Sequence, residues 1–162
     1  MQKSTIKLPE IKLVGLTVRT SNPLEMDPAT AKIGGAVQNY YQAMCADKIM
    51  LRKTPWTTYS VYTNYESDFT GEYTYFIGEE VLDFEDQPDE FQQLIIPQQN
   101  YTKFTTAPGA MPDVCLSAWQ KIWQMTMEDL CGKRAYKADF EIYDQRASDP
   151  TNSVLDIYVG II

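Results

Sequence analysis

The stretch DFEIYDQR, residues 139–146, alternates as a β-strand does. Successive side chains point to opposite sides of a strand, so Ala138, Phe140 and Ile142 share one face and Asp139, Glu141 and Tyr143 the other. The segment RAYKADFEIYDQRA turns across Asp149-Pro150-Thr151-Asn152 into SVLDIYVGII, which predicts a hairpin. Upstream, MPDVCLSAWQKIWQMTMEDL (111–130) predicts a helix. Pro112 suits its start and Asp113 its first turn, while Leu116, Trp119, Trp123 and Met127 recur on one face and Cys131-Gly132 ends it. Before it, FQQLIIPQQNYTKFTTAPG (91–109) reads as a strand interrupted by Pro97.

The same order precedes this one. IKLVGLTVRT (11–20) is a strand by its Val, Ile, Leu and Thr content. Asp27 as N-cap and Pro28 at the first helical position predict a helix through Met44, with Ile33, Val37, Tyr40, Tyr41 and Met44 at helical spacing. Gly34 and Gly35 weaken it by roughly 1 kcal/mol each. TTYSVYTNYES (57–67) and EYTYFIGEEV (72–81) form a hairpin through DFTG, and EDQPDE (85–90) is an acidic hinge. The halves echo each other over about 80 residues, in FIG (76–78) and YVG (158–160) and above all in element order. The expectation is one α+β domain over 1–162. It consists of two strand-helix-strand-strand modules (8–84 and 90–162) with pseudo-two-fold symmetry and a ligand groove between them.

Composition narrows the chemistry. The chain has 162 residues, 44% of them hydrophobic, and a net charge of −8, which disfavours a phosphate-binding surface and suits cationic partners. Histidine is absent, so His-based nucleophilic triads and His-ligated metals are excluded. Three cysteines, Cys45, Cys115 and Cys131, form no Cys-x-x-Cys, and no Gly-rich phosphate loop occurs. No cofactor or metal is implied. With no signal peptide or apolar span of ~20 residues, a reducing cytoplasm is the expected location.

IKLVGLTVRT, IPQQNYTKFTTAPGAMPDV, AWQKIW and DFEIYDQRASDP followed by VLDIYVGI resemble the GyrI-like effector-binding domain, over roughly residues 8–162. That domain is the ligand-sensing half of multidrug-responsive transcription regulators and also occurs alone, and the chain is similar to stand-alone members carried as mobile gene cassettes in bacteria. The resemblance implies a groove for lipophilic, often cationic, small molecules. It implies that a glutamate of the penultimate strand, here Glu141, meets the cation, with Tyr143 on the same face and Tyr158 on the paired last strand. No helix-turn-helix segment precedes the domain, so a protein partner supplying DNA binding is one alternative. Another is a hydrolase of reactive small molecules that uses the same carboxylate to orient water. Binding is the favoured reading over catalysis.

The residues themselves weigh in the same direction. Glutamate is almost never buried without a partner, so a solvated Glu141 is the bland expectation. Tyr143 on its face, and Tyr59, Val61, Thr63 and Tyr65 on one side of the matching strand, make that surface too apolar for a freely solvated carboxylate. Trp119 and Trp123, one turn apart, are expected to divide between core and pocket wall, Trp119 burying beside Leu116. Tyr40 and Tyr41 divide similarly, with Tyr41 toward the groove. The site thus read comprises Glu141, Tyr143, Tyr158, Trp119, Trp123, Tyr41 and Tyr65. Met125 and Met127 are read mainly as core, and Cys115 as an inert small hydrophobe.

Overall fold

The DFEIYDQR segment lies at the middle of a single antiparallel sheet. The computed structural model describes residues 1–162 and contains eight strands. They are β1 (Gln2–Leu8), β2 (Ile11–Ser21), β3 (Thr58–Thr63), β4 (Glu72–Glu80), β5 (Gln92–Ile96), β6 (Gln99–Thr105), β7 (Ala138–Tyr143) and β8 (Asp156–Ile161). The helices are α1 (Asn22–Met26), α2 (Ile33–Gln42), α3 (Cys45–Lys48) and α4 (Asp113–Trp123). The sheet order is β1-β6-β8-β7-β3-β4-β2-β5.

This order repeats a pairing pattern. In the first half the hairpin strand β4 lies between β2 and β3; in the second, β8 lies between β6 and β7. The halves join where β3 pairs with β7, Ser60 opposite Glu141. The leading strands are exchanged: β1 pairs with β6, and β5 with β2. Only Pro9-Glu10 separates β1 from β2, and only Pro97-Gln98 separates β5 from β6, although each pair stands at opposite ends of the strand order. The sheet must therefore curl until its ends meet. Ile11 and Leu13 of β2, Ile96 of β5, Tyr101 of β6 and Phe140 of β7 accordingly share one buried cluster inside the curve. The prolines cannot donate to a ladder, so both corners fall where pairing must switch.

The outer face carries the helices. On the first half, α2 contributes Tyr40 to a cluster with Val14, Tyr75 and Ile77. On the second, α4 packs Cys115, Ala118, Trp119 and Ile122 on Phe104, Ile157 and Val159. Strand β7 is thus covered on both sides, which is why four successive residues, Ala138 to Glu141, are buried.

Several sequence expectations are corrected here. Asp27 does not begin a helix: it closes α1, and α2 starts at Ile33. The cap comes from Glu25, whose carboxylate accepts from Lys32 N at 2.9 Å and Ile33 N at 3.0 Å, a contact that carboxylates favour at a helix N-terminus. Helix α4 ends at Trp123, not at Leu130, so Met127 lies in the following turns, exposed. Leu116 is exposed as well, because the buried stripe runs through Cys115, Ala118, Trp119 and Ile122. Strand β1 was not anticipated. Its side chains are almost all exposed, so it carries no hydrophobic alternation to read.

Candidate functional site

Glu141 is 2% exposed, on the β7 face that α4 covers. Four donors converge on it: Trp119 Nε1 at 2.6 Å to Oε2, and Tyr143 OH at 2.8 Å, Tyr62 OH at 3.1 Å and Cys115 Sγ at 3.4 Å to Oε1. None of the ion pairs in the structure involves Glu141. It is a buried carboxylate with hydrogen bonds and no counter-charge. Burial raises its pKa, although Trp119, Tyr143, Cys115 and Tyr62 oppose the rise by bonding the ionised form. Burial and the neighbouring carboxylate push Tyr62 and Tyr143 well above the usual tyrosine value, so both hydroxyls stay protonated and available as donors.

Beside this cluster lies a cavity of about 360 Å³ between the helices of the two halves. The first half supplies Asn22, Glu25 and Met26 of α1, Ile33 of α2, Tyr62, Tyr65, Phe69 and Tyr73; α4 supplies Cys115, Leu116, Trp119, Gln120 and Trp123. Arg134, from the segment leading into β7, completes the wall. Tyr62 is the hub of the aromatic lining, with ring centroids 5.2 Å from Trp119 and 5.6 Å from each of Tyr73 and Tyr75. Phe69 stacks on Trp123 at 5.7 Å with planes 5° apart. Glu141 stands behind this wall: its donors Trp119, Tyr62 and Cys115 line the cavity, while the carboxylate itself does not.

The structure brings Glu141, Tyr143, Trp119, Trp123 and Tyr65 together and leaves two anticipated residues elsewhere. Tyr158 pairs with Phe140 across the β7–β8 ladder, so it faces the interior of the curve, stacked on Phe140 at 4.6 Å, on the opposite side of the sheet from Glu141. Tyr41 is exposed and touches Tyr40 edge-on, outside the cavity. The strand face assigned to β3 was also the wrong one. Ser60 pairs with Glu141, so Ser60 and Tyr62 share its side while Tyr59 and Val61 turn inward. Tyr65 still reaches the cavity because the strand ends at Thr63 and Asn64 takes a left-handed φ of 49°, which breaks the alternation. Tyr62, Tyr73 and Arg134 were missed; the β3–β7 register would have exposed Tyr62.

The comparisons with known proteins concern nearly the whole chain. Residues 5–161 match the family model described as Cass2, integron-associated effector binding protein. YobU of Bacillus subtilis (strain 168) is 31% identical over 151 residues, which span 93% of this chain and 91% of that protein. The integron cassette protein from the mobile metagenome of Vibrio cholerae superposes with a TM-score of 0.75 at 28% identity, covering 99% of this chain and 95% of that one. The structure of SAV2435 bound to tetraphenylphosphonium gives a TM-score of 0.77 at 18% identity, over 100% and 94% of the two chains, a likeness of fold. The family model's match over residues 5–161 and the 31% identity to YobU across 93% of the chain, on a fold shared with these structures, show that the chain belongs to the Cass2 family of integron-associated effector binding proteins.

Proposed function

We propose that the chain binds lipophilic cations in the cavity between α1–α2 and α4, with Glu141 as counter-ion. The observation that carries this reading is the pairing state of Glu141: 2% exposed, four donors, and no Lys or Arg side chain in an ion pair with it. An ionised carboxylate removed from water costs several kcal/mol unless a positive charge compensates it. A cation in the cavity supplies that charge across one layer of side chains. For a cation seated ~6 Å from the carboxylate, an effective dielectric of about 20 gives an attraction of roughly 3 kcal/mol. The layer is polarised in the favourable sense, since Trp119 and Tyr62 both donate to the carboxylate and both line the cavity. Each ring face adds ~0.5–2 kcal/mol of cation–π attraction. The ligand seen in SAV2435, a phosphonium cation, has the chemistry this arrangement favours.

The test is a thermal-shift series that pairs benzyltrialkylammonium ions with their neutral carbon isosteres. Binding stabilises by RT ln(1 + [L]/Kd), about 2.7 kcal/mol at a hundredfold excess over Kd, so the cations should raise Tm by several degrees and the isosteres much less. Equal stabilisation by both would remove the charge from the explanation.

A further inference from the structure

The charges around the cavity do not balance. Two charged side chains line it, Arg134 and Glu25. Arg134 is engaged: Nη2 pairs with the fully buried Asp139 at 2.6 Å, and the Tyr136 ring lies 4.2 Å from the guanidinium. Glu25 has no such partner, since none of the ion pairs in the structure includes it. Lys32, whose backbone N–H bonds the Glu25 carboxylate, turns its ammonium to Arg19 O at 2.9 Å instead. Glu141, behind the wall, is unpaired in the same sense. The cavity therefore faces two carboxylates that no cationic side chain neutralises.

The Glu25 carboxylate is held in place by neutral donors: Thr20 Oγ1, and the backbone at Lys32 and Ile33 where α2 begins. That cap does not require a charge, because a Ser, Thr or Asn side chain caps a helix as well as a carboxylate does. The carboxylate adds charge to the cavity wall. Glu25 belongs to the α1–α2 wall, whereas Glu141 stands behind Trp119 of the α4 wall. Tyr73 senses both: burial, and then the charges of Glu25 and Glu141, hold its hydroxyl above the usual tyrosine value. Its ring lies 5.6 Å from that of Tyr62 and 5.9 Å from that of Tyr65, so aromatic surface lines the cavity that the two carboxylates flank. An onium centre makes no hydrogen bonds. It needs an uncancelled negative charge and ring faces, so the occupied acceptors of Glu25 are no obstacle to it.

We propose that Glu25 is a second counter-ion of the cavity and that the preferred ligands are amphiphilic dications, two onium centres joined by an apolar spacer. This rests on the cation reading of Glu141 and extends it. One centre answers Glu141, the other Glu25, and the aromatic lining covers the spacer. A monocation leaves one carboxylate unanswered.

The experiment is isothermal titration of the full chain with bis(trimethylammonium)alkanes of increasing spacer length. Each is compared with the monocation in which one trimethylammonium is replaced by tert-butyl, its neutral isostere. At the best-matched spacer the dication should bind about 10-fold tighter than its monocation. Glu25→Gln keeps a carbonyl oxygen for the α2 cap and removes the charge. It should abolish the preference while binding the monocation within about 3-fold of wild type. If Glu25→Gln does not fold, Met26→Lys reads the same preference: Met26 is exposed on the same wall, and an ammonium there neutralises Glu25 without touching the cap. The inference is overturned if no spacer favours the dication, or if the preference survives these substitutions. Glu141→Gln separates the two readings. It should weaken dication and monocation by the same factor. An unaffected monocation, with a Glu25-dependent preference still present, would defeat the counter-ion reading of Glu141 alone.

Discussion

Replacing Glu141 by glutamine removes one charge from the site while keeping its shape. All four contacts of Glu141 are donors to it, so an amide faces a definite choice. Trp119 Nε1 can only donate, which directs the new carbonyl oxygen toward Trp119. The new NH₂ then meets the hydroxyls of Tyr62 and Tyr143, which can rotate and accept. The packing is retained and the charge is gone. Two effects should appear together. Affinity for a benzyltrialkylammonium ion should fall at least about 10-fold, since a unit charge ~6 Å from the cation would contribute roughly 3 kcal/mol at an effective dielectric of about 20, while the aromatic and apolar contacts persist. The ligand-free variant should be at least as stable as wild type near neutral pH, because the buried unpaired charge no longer has to be accommodated. Isothermal titration and urea melts measure the two. A solvated Glu141 would show neither effect, and one in a structural ion pair would lose stability. Cation affinity within twofold of wild type refutes the reasoning.

Other outcomes follow from the same geometry. The raised pKa of Glu141 means that the folded, ligand-free protein holds this proton to higher pH than the unfolded chain does. Its contribution to stability is therefore complete below the unfolded glutamate value of about 4.3 and is lost as pH rises through the raised folded value. Cation affinity should increase across that same window, with proton release, and Glu141→Gln should flatten both profiles; a pH-independent Kd in wild type would contradict this. Cys131 is exposed, whereas Cys115 is buried at the cavity wall and its thiol is pushed well up by burial and by Glu141. Cys131 should thus react first with a thiol reagent, and saturating cation should slow Cys115 at least ~5-fold. Labelling of Cys115 at the rate of Cys131 would place it outside the wall. Gly15 and Gly78 pair across β2 and β4, and a Cβ at Gly78 would lie 2.2 Å from Val14 O. Gly78→Ala should cost about 2 kcal/mol or more in a urea melt, and an unchanged midpoint would show that the strands can separate there.

The alternation around Glu141 was readable because period-2 parity needs only the strand itself, and both Tyr143 and the carboxylate obey it. The element order was readable for a similar reason: Pro, Gly and acidic turns punctuate the chain between hydrophobic runs. What the sequence withheld depends on register and on distant partners. Tyr158 and Tyr62 each lie on a strand that was expected, but which face they show is set by the pairings Phe140–Tyr158 and Ser60–Glu141, and a one-residue change in register reverses it. The start of α2 is capped by Glu25, eight residues before Ile33, rather than by the local Asp-Pro signal at Asp27-Pro28. Leu116 matched a helical stripe, yet α4 turns its Cys115–Ala118–Ile122 side to the sheet. Arg134 sits in a polar run, RAYK, whose importance arises from Asp139 and from a left-handed Tyr136 that no spacing announces.

The exchange of leading strands gives the cavity an unusual relation to the chain. Tyr62 and Glu141, 79 residues apart, touch only when β3 and β7 have joined, and the lining of the cavity comes from both halves. A molecule seated there bridges the two as a reversible tie. It resists any fluctuation that parts β3 from β7 or lifts α4 from α1, and leaves motion within either half largely free. Hydrogen exchange should register this as protection gathered along the β3–β7 seam rather than spread over the sheet. A partner bound across that seam would sense the ligand through the work needed to open it, with no displacement of either half required.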